Sequence, residues 1–254
     1  MMLLASASVS LIALIGIIFV KLNEEKTKRI SHFLISFAAG TLLGAVFFDI
    51  LPEAIEHSAE YGGEIDPVFL AAVVGFILFF VFEKTLIWYH RHDEHHAREI
   101  PRAQTGPLIL FGDAVHNFID GIIIGLSFLA DPALGVTATI AIAFHEIPQE
   151  IGDFSVLLHS GFSKGYALFF NFLVATTTIL GALFAYFVSS AVNLDTFLPI
   201  ALGLISGGFI YIASVDLIPE INKETRLGHS IATSALFVIG LATIYTVAQL
   251  LPHG

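Results

Sequence analysis

Two short segments of the sequence, HNFID and HEIPQE, combine imidazole, carboxylate and amide side chains at the spacing of an α-helix. In each segment a histidine is followed four positions later by an oxygen ligand, so the two side chains share one helix face. Imidazole with carboxylate is the ligand set that Zn²⁺ prefers, and Fe²⁺, Mn²⁺, Co²⁺ and Cd²⁺ are plausible competitors. The candidate metal ligands are His116, Asn117, Asp120, His145, Glu146, Gln149 and Glu150.

The spacing of these ligands predicts how they are shared between ions. Two pairs, His116 with Asp120 and His145 with Gln149, can converge from facing helices into a four-ligand site. A second ion could bind about one ligand layer away from the first. The ligands left for this second ion are Asn117, Glu146 and Glu150.

Both segments lie within apolar runs, where ionised groups are costly. The 254-residue chain is 56% hydrophobic and 13% charged, with a mean hydropathy of +0.85, which is typical of a membrane protein. An Asp or Lys at the centre of a membrane helix costs about 2.5–3.5 kcal/mol. Neither segment contains a Lys or Arg that could neutralise its acids, so carboxylate protonation or a bound metal ion must compensate the charge.

The composition also excludes some kinds of site and partner. The chain has no cysteine, so neither disulfides nor thiolate metal sites are available. Its formal net charge of -11 argues against nucleic-acid binding, which needs clustered Lys and Arg. Any metal binding must therefore rely on nitrogen and oxygen ligands.

The apolar runs predict an all-α integral membrane protein with a single transmembrane domain over residues 1–254. A helix needs roughly 20 apolar residues to cross a bilayer core of about 30 Å. Eight stretches satisfy this requirement, at about 4–20, 32–52, 67–89, 106–129, 133–159, 164–190, 197–220 and 229–251. All eleven Lys and Arg residues lie at the first, third, fifth and seventh connections or in the helix ends next to them, which predicts that these connections are in the cytoplasm and both termini outside it.

Two predicted helix ends share a pattern of Asp, two aliphatic residues, Pro and Glu, which begins at Asp49 and again at Asp216. The second and seventh helices run in opposite directions, so helices 1–3 and 6–8 are expected to form an inverted repeat around the central pair, a 3+2+3 arrangement. Acids at helix C-termini oppose the macrodipole, which favours a role in attracting cations, although Pro-Glu could also simply end a helix. The expected pathway residues are Asp49 and Glu53 at the outer mouth, Asp216 and Glu220 at the inner mouth, and Asp113 and Asp153 on the polar faces between them.

The third connection contains the tract HRHDEHH, whose histidines are His90, His92, His95 and His96. Such a tract is typical of metal binding, here on the cytoplasmic side. A solvated loop without a role in transport is an equal alternative.

The segments HNFIDG and HEIPQEIGDF resemble the two signature motifs of the ZIP family of divalent-metal transporters, most closely those of its LIV-1 branch. The eight predicted spans, external termini and His-rich third connection extend the resemblance over nearly the whole chain. It implies a 3+2+3 helical bundle, often dimeric, that moves Zn²⁺ or related ions toward the cytoplasm. It also implies metal ligands at His116, Asn117, Asp120, His145, Glu146 and Gln149, with Asn171 of the sixth helix nearby.

One position departs from the family pattern. Gln149 stands where LIV-1 members usually have His and other branches commonly have Glu. Because a neutral amide is a poorer metal ligand than either, we expect weaker zinc retention than in a Gln149→His variant.

Two other functions are compatible with parts of this pattern. HEIPQE begins like the zincin motif HExxH of a zinc-dependent hydrolase, but Gln149 replaces the second His and Pro148 interrupts the helix that the motif needs. A proton-coupled carrier of another solute would use the acids as a relay. We expect a metal carrier and no enzymatic activity, in a bacterial inner membrane because the chain is short and lacks organelle signals.

Overall fold

The computed structural model describes residues 1–16, 24–60, 62–92, 102–191, 194–223 and 227–251. Within these ranges the chain is almost entirely helical and contains no strand, which confirms the all-α class. The helices of the described ranges form eight successive units, some of which change helix type along their length.

The bounds of these units are as follows. In the first half, α1 is Met2–Ser10 and continues as a 3₁₀ segment, Leu11–Ile15. Helix α2 is Glu24–Ala45, followed without a break by a π-helical segment, Val46–Ile50, and an α-helical end, Leu51–Glu60. Helix α3 is Asp66–His92, and α4 is Arg102–Ala130. In the second half, α5 is Pro132–His159, and α6 is Lys164–Ala175 followed by Thr177–Ser189. Helix α7 is Leu194–Tyr211, followed by a π-helical segment, Ile212–Leu217, and a short α-helical end, Ile218–Ile221. Helix α8 is Leu227–Leu250.

Six helices are long and apolar enough to cross a membrane. Their spans are Arg29–Glu60, Asp66–Thr85, Ile109–Ala130, Lys164–Ser189, Thr196–Ile221 and Leu227–Leu250. The apolar helix Met2–Ile15 is shorter, and α5 is less apolar because it carries the polar residues of HEIPQE. The described residues therefore form a membrane helical bundle with six such spans, where the sequence predicted eight.

A one-residue turn joins the two helices that carry the candidate ligands. Asp131 separates α4 from α5, and its Oδ1 accepts hydrogen bonds from the backbone N–H groups of Ala133, at 2.7 Å, and Leu134, at 3.1 Å. Pro132 occupies the first helical position, where no N–H donor is needed. This cap reverses the chain direction, so α4 and α5 pack against each other.

Three helix pairs pack most extensively: α2 with α8, α3 with α7, and α4 with α6. Each pair has a glycine on both helices that lies against a backbone carbonyl of the partner. A Cβ added to Gly207 would lie 1.9 Å from the carbonyl oxygen of Ala72, which no larger residue can tolerate. The glycines of the three pairs are Gly40 and Gly240, Gly75 and Gly207, and Gly121 and Gly181.

The centre of the bundle is formed by α2 and α7 together with the site helices. In an apolar 18-residue stretch of each span, 67% and 72% of the residues of α2 and α7 are buried, whereas the corresponding shares for α3 and α8 are 17% and 22%. The core includes Leu42 of α2, Ile124 of α4, Ile142 of α5 and Phe209 of α7. The largely exposed, apolar surfaces of α3 and α8 suit contact with lipid.

Both central helices contain a π-helical turn before a proline. The N–H of Leu51, just before Pro52, donates to the carbonyl of Val46, and the N–H of Ile218, just before Pro219, donates to the carbonyl of Ala213. Proline offers no N–H to the turn that precedes it, which leaves room for this wider i→i+5 turn. The helices do not end at these prolines but continue to Glu60 and Ile221.

Candidate metal centre

Four side chains from α4 and α5 bring one ligand atom each to a common point. The atoms are Nε2 of His116, an Oδ of Asp120, Nε2 of His145 and an Oε of Glu146, and all lie within 4.8 Å of one another. Asp120 follows His116 by one helical turn, and Glu146 follows His145 directly. The cluster is called the metal centre below.

The distances within the metal centre suit coordination of one small cation. Nε2 of His116 lies 3.2 Å from Glu146 Oε1 and 3.8 Å from Asp120 Oδ2. Nε2 of His145 lies 3.1 Å from Asp120 Oδ2 and 3.3 Å from Glu146 Oε1. Ligand atoms about 2.0–2.1 Å from a tetrahedral Zn²⁺ are roughly 3.3 Å apart.

The two histidines also approach each other closely, with 3.2 Å between their Nε2 atoms. Both imidazoles thus direct the same nitrogen into the metal centre. A cation between them would accept both lone pairs, which a single shared proton cannot do.

Burial makes the carboxylates of the metal centre costly without a cation. Asp120, His145 and Glu146 are at most 2% exposed, while His116 is 21% exposed. Among the residues that the structure describes, no hydrogen bond reaches Asp120 Oδ2 or Glu146 Oε1. Their ion-pair contacts in this part of the chain are to the two histidines alone, so a bound divalent ion would supply the missing positive charge.

The neighbours Gln149 and Asn117 contact Asp113 rather than completing the metal centre. Asp113 Oδ1 accepts hydrogen bonds from Asn117 Nδ2, at 2.8 Å, and from Gln149 Nε2, at 3.4 Å. Asn117 Oδ1 in turn accepts a hydrogen bond from Thr178 Oγ1 at 2.8 Å. The ligand sharing expected from the sequence therefore differs from the geometry: Glu146 joins the two histidines, and Gln149 lies beside Asp113.

Two side chains of α6 form hydrogen bonds to polar residues next to the metal centre. Asn171, which is fully buried, donates a hydrogen bond from Nδ2 to Oε2 of Glu150. Thr178, also fully buried, donates the hydrogen bond from Oγ1 to Asn117 Oδ1. Sequence reasoning missed Thr178, and its signal is a run of three threonines, TTT, inside an apolar helix.

A cavity of about 270 Å³ adjoins the metal centre on one side. It is lined by residues of α3, α4, α5 and α7, among them His116, the most exposed member of the metal centre. The predicted pathway residues Asp113, Asp153 and Asp216 line it as well. Glu83 of α3 is a fourth lining carboxylate, which sequence reasoning missed although it is a lone acid in the apolar run FFVFEK.

The two repeated aspartates differ in exposure. Asp216 is exposed and lines the cavity, whereas Asp49 is only 2% exposed. Glu53 and Glu220 are both partly exposed, and Glu220 forms an ion pair with Lys223. The metal centre is therefore reached through the Asp216 side of the bundle.

The histidine tract of the third connection falls largely outside the described residues. His90 and His92 belong to the end of α3, but their side chains are not among those described. His95 and His96 lie outside the described ranges altogether.

Comparison with known proteins gives consistent matches. The sequence matches the family described as ZIP Zinc transporter over residues 1–107 and 103–248. It is 33% identical to Zinc transporter ZIP13 of Pongo abelii over 220 residues, which cover 83% of this chain and 65% of that protein. An alignment of 325 residues with the Zinc transporter ZIP13 homolog of Drosophila melanogaster has 29% identity and covers 99% of this chain and 89% of that protein.

A third relative carries a broader name. Metal cation symporter ZIP14 of Pongo abelii is 36% identical over 148 residues, which cover 57% of this chain and 29% of that protein. The chain thus spans just under two thirds of the length of the first ZIP13 relative and a much smaller share of this one.

Proposed function

The chain belongs to the ZIP zinc transporter family, and from this premise we propose that it carries divalent transition-metal ions, zinc first, across a membrane toward the cytoplasm. The observation that carries the proposal is the buried convergence of two imidazoles and two carboxylates on one point between α4 and α5. Buried carboxylates without a cation are costly in a membrane bundle, which favours a role in ion binding.

We assign the transported ion to His116, Asp120, His145 and Glu146. Nitrogen and oxygen ligands of this kind suit Zn²⁺ and also accept Fe²⁺, Mn²⁺, Co²⁺ or Cd²⁺. The broader name of the ZIP14 relatives, metal cation symporter, supports keeping these ions as possible substrates. A second ion would bind beside the first with Asn117 and Glu150 as ligands.

We propose that the full chain is a single domain of eight membrane helices in a 3+2+3 arrangement, with α1–α3 and α6–α8 as inverted repeats. Two observations support this. The π-helical turns before Pro52 and Pro219 correspond, and Gly40 and Gly207 each precede the proline by the same twelve residues. The pair α2 with α8 also has its counterpart in the pair α7 with α3.

The repeat suggests how access to the metal centre alternates between the two membrane faces. With Asp216 exposed and Asp49 buried, the structure is open on the side of the basic connections, which the positive-inside rule places in the cytoplasm. In the opposite state of such a repeat, α2 would take the exposed arrangement that α7 has here, and α7 the buried arrangement of α2. Asp49 would then be exposed, and the path past Asp216 would be closed. Ions would then enter past Asp49 and Glu53 and leave past Asp216 and Glu220.

A zinc-dependent hydrolase is the less well supported of the two functions. In HExxH enzymes the glutamate stays free to activate water. Here Glu146 Oε1 lies 3.2 Å from His116 Nε2 and 3.3 Å from His145 Nε2, which makes it a ligand. The relatives are named as transporters, which also supports a carrier over an enzyme.

Some finer assignments rest on the sequence and are part of the proposal. HEIPQEIGDF supports placement in the LIV-1 branch, and the distribution of Lys and Arg supports both termini lying outside the cytoplasm. A homodimer is expected from the family resemblance. A bacterial inner membrane stays a prediction, and the named ZIP13 relatives are animal proteins.

The test is zinc flux into sealed proteoliposomes of the purified protein. We expect saturable uptake that is abolished in an Asp120→Asn, His145→Ala double variant. The matched control is Glu60→Gln, at an exposed acid at the end of α2, which should transport like the unmodified protein. Zinc that binds stoichiometrically but never crosses, or equal flux in the double variant, would contradict the proposal.

A further inference from the structure

The cavity beside the metal centre contains an unusual concentration of negative charge. Its lining includes the carboxylates of Glu83, Asp113, Asp153 and Asp216, each from a different helix, and among the described residues that line it there is no lysine or arginine. When ionised, carboxylates that line one cavity repel each other. In a low-dielectric bundle such repulsion is relieved when a cation binds between the groups.

Asp113 is the deepest of these carboxylates and is oriented by its neighbours. One oxygen, Oδ1, is held by the amides of Asn117 and Gln149. The other, Oδ2, has no hydrogen-bond partner among the described residues, although Asp113 is only 5% exposed. A buried carboxylate oxygen without a donor, on the wall of a cavity, is itself an indication of a cation ligand.

Glu83 reaches the same cavity from α3. Its Oε2 accepts a hydrogen bond from the hydroxyl of Tyr211, a residue of α7 that is only 3% exposed. The Tyr211 ring packs edge-on against Phe76, with ring centroids 5.1 Å apart. Tyr211 therefore acts as a positioning residue that fixes Glu83 against the wall of the cavity.

The volume of the cavity suits an ion that keeps part of its water. Each water occupies about 30 Å³, so a cavity of about 270 Å³ holds an ion with several waters. Its acidic ligands are all oxygen atoms, in contrast to the paired imidazoles of the metal centre. Such a site favours partly hydrated cations, and Mn²⁺ competes there better than at a site with two histidines.

We propose that this cavity is a separate cation site, distinct from the metal centre and from the ion position beside it at Asn117 and Glu150, in which Asp113 and Glu83 bind a partly hydrated divalent ion with Asp153 and Asp216 nearby. His116 borders both sites, so an ion that leaves the metal centre enters this one next. A role for this site in receiving ions from the metal centre rests on the proposed function, but its existence as a binding site does not.

The test is equilibrium dialysis of the purified protein in detergent, with Zn²⁺ and Mn²⁺ as separate probes. Glu83→Gln should weaken the site with oxygen ligands at least about tenfold and leave the tighter zinc site unchanged. Tyr211→Phe should weaken the same site severalfold, since Glu83 stays but loses its positioning. Asp120→Asn should do the reverse, removing the tight zinc site while Mn²⁺ still binds. Glu60→Gln is the matched control.

The outcomes separate this inference from the proposed function. If one tight zinc ion is lost in Asp120→Asn, and neither Zn²⁺ nor Mn²⁺ binding changes in Glu83→Gln or Tyr211→Phe, the cavity site is overturned and the proposed transporter stays intact. Binding of neither Zn²⁺ nor Mn²⁺ by the unmodified protein would overturn both, whereas Mn²⁺ binding that responds to Glu83→Gln, without any zinc binding, would overturn the proposed zinc transport alone. Selective loss of the weaker ion in both cavity variants would establish the site.

Discussion

Glu146 of α5 lies with its Oε1 3.2 Å from Nε2 of His116 of α4, which makes it a bridge between the two site helices. The same oxygen lies 3.3 Å from His145 Nε2. Glu146 therefore contacts both imidazoles, whereas Gln149, one turn further along α5, contacts Asp113. This relationship decides which residue of HEIPQE matters most for the transported ion.

Replacing Glu146 should weaken zinc binding more than replacing Gln149. Glu146→Gln removes the negative charge that lies between the two histidines, so we expect at least about a tenfold loss of affinity, or about 1.4 kcal/mol. Gln149→Ala is the matched control on the same helix and should change affinity much less. Competition with a zinc-sensitive chelating dye measures both. A greater loss in Gln149→Ala would contradict the ligand assignment.

A histidine at position 149 should retain zinc more tightly than the glutamine. Imidazole is a better zinc ligand than a neutral amide, and position 149 lies one turn from His145 on the same face. The same dye competition compares Gln149→His with the unmodified protein. Equal or tighter binding by the unmodified protein would show that position 149 does not reach the ion.

The close contact between α3 and α7 should not tolerate a methyl group. A Cβ at Gly207 would lie 1.9 Å from the carbonyl oxygen of Ala72, so Gly207→Ala must separate the helices. We expect a loss of about 1–3 kcal/mol, seen as a lower Tm in detergent. Gly152→Ala is the control, since no heavy atom lies within 4 Å of its added Cβ. Equal Tm values for the two variants would contradict the packing.

The difference in exposure between Asp49 and Asp216 predicts unequal access for a thiol reagent. Because the chain has no cysteine, Asp49→Cys and Asp216→Cys each create a single target. With the purified protein in detergent, where both faces are accessible, a hydrophilic maleimide should label position 216 at least about tenfold faster than position 49, as expected for an inward-open bundle. Faster labelling of position 49 would mean that the resting state opens on the other side.

Much of the metal centre could be predicted from the sequence, because helical spacing fixes which residues share a face. His116 with Asp120 and the polar stripe that begins at His145 follow directly from that spacing. The choice between Glu146 and Gln149 could not be predicted. It depends on how α5 is rotated against α4, and a stripe several residues wide leaves that rotation open.

The turns before Pro52 and Pro219 show a second limit of sequence reasoning. A proline after an apolar run usually indicates a helix end, yet both helices continue through a π-helical turn. The repeat itself was visible as DILPE and DLIPE. The sequence does not predict a role for Glu83, because no second ligand follows it at helical spacing on the same face. Only the packing of α3 on α7 brings Glu83 to the cavity.

The most direct test of the central claim is X-ray absorption at the zinc edge on protein loaded with one equivalent of Zn²⁺. The account predicts two imidazoles and two carboxylate oxygens at about 2.0–2.1 Å, with one imidazole lost in His145→Ala and one oxygen lost in Glu146→Ala. A shell of oxygen atoms only, or a spectrum unchanged by both substitutions, would contradict a metal centre built from His116, Asp120, His145 and Glu146.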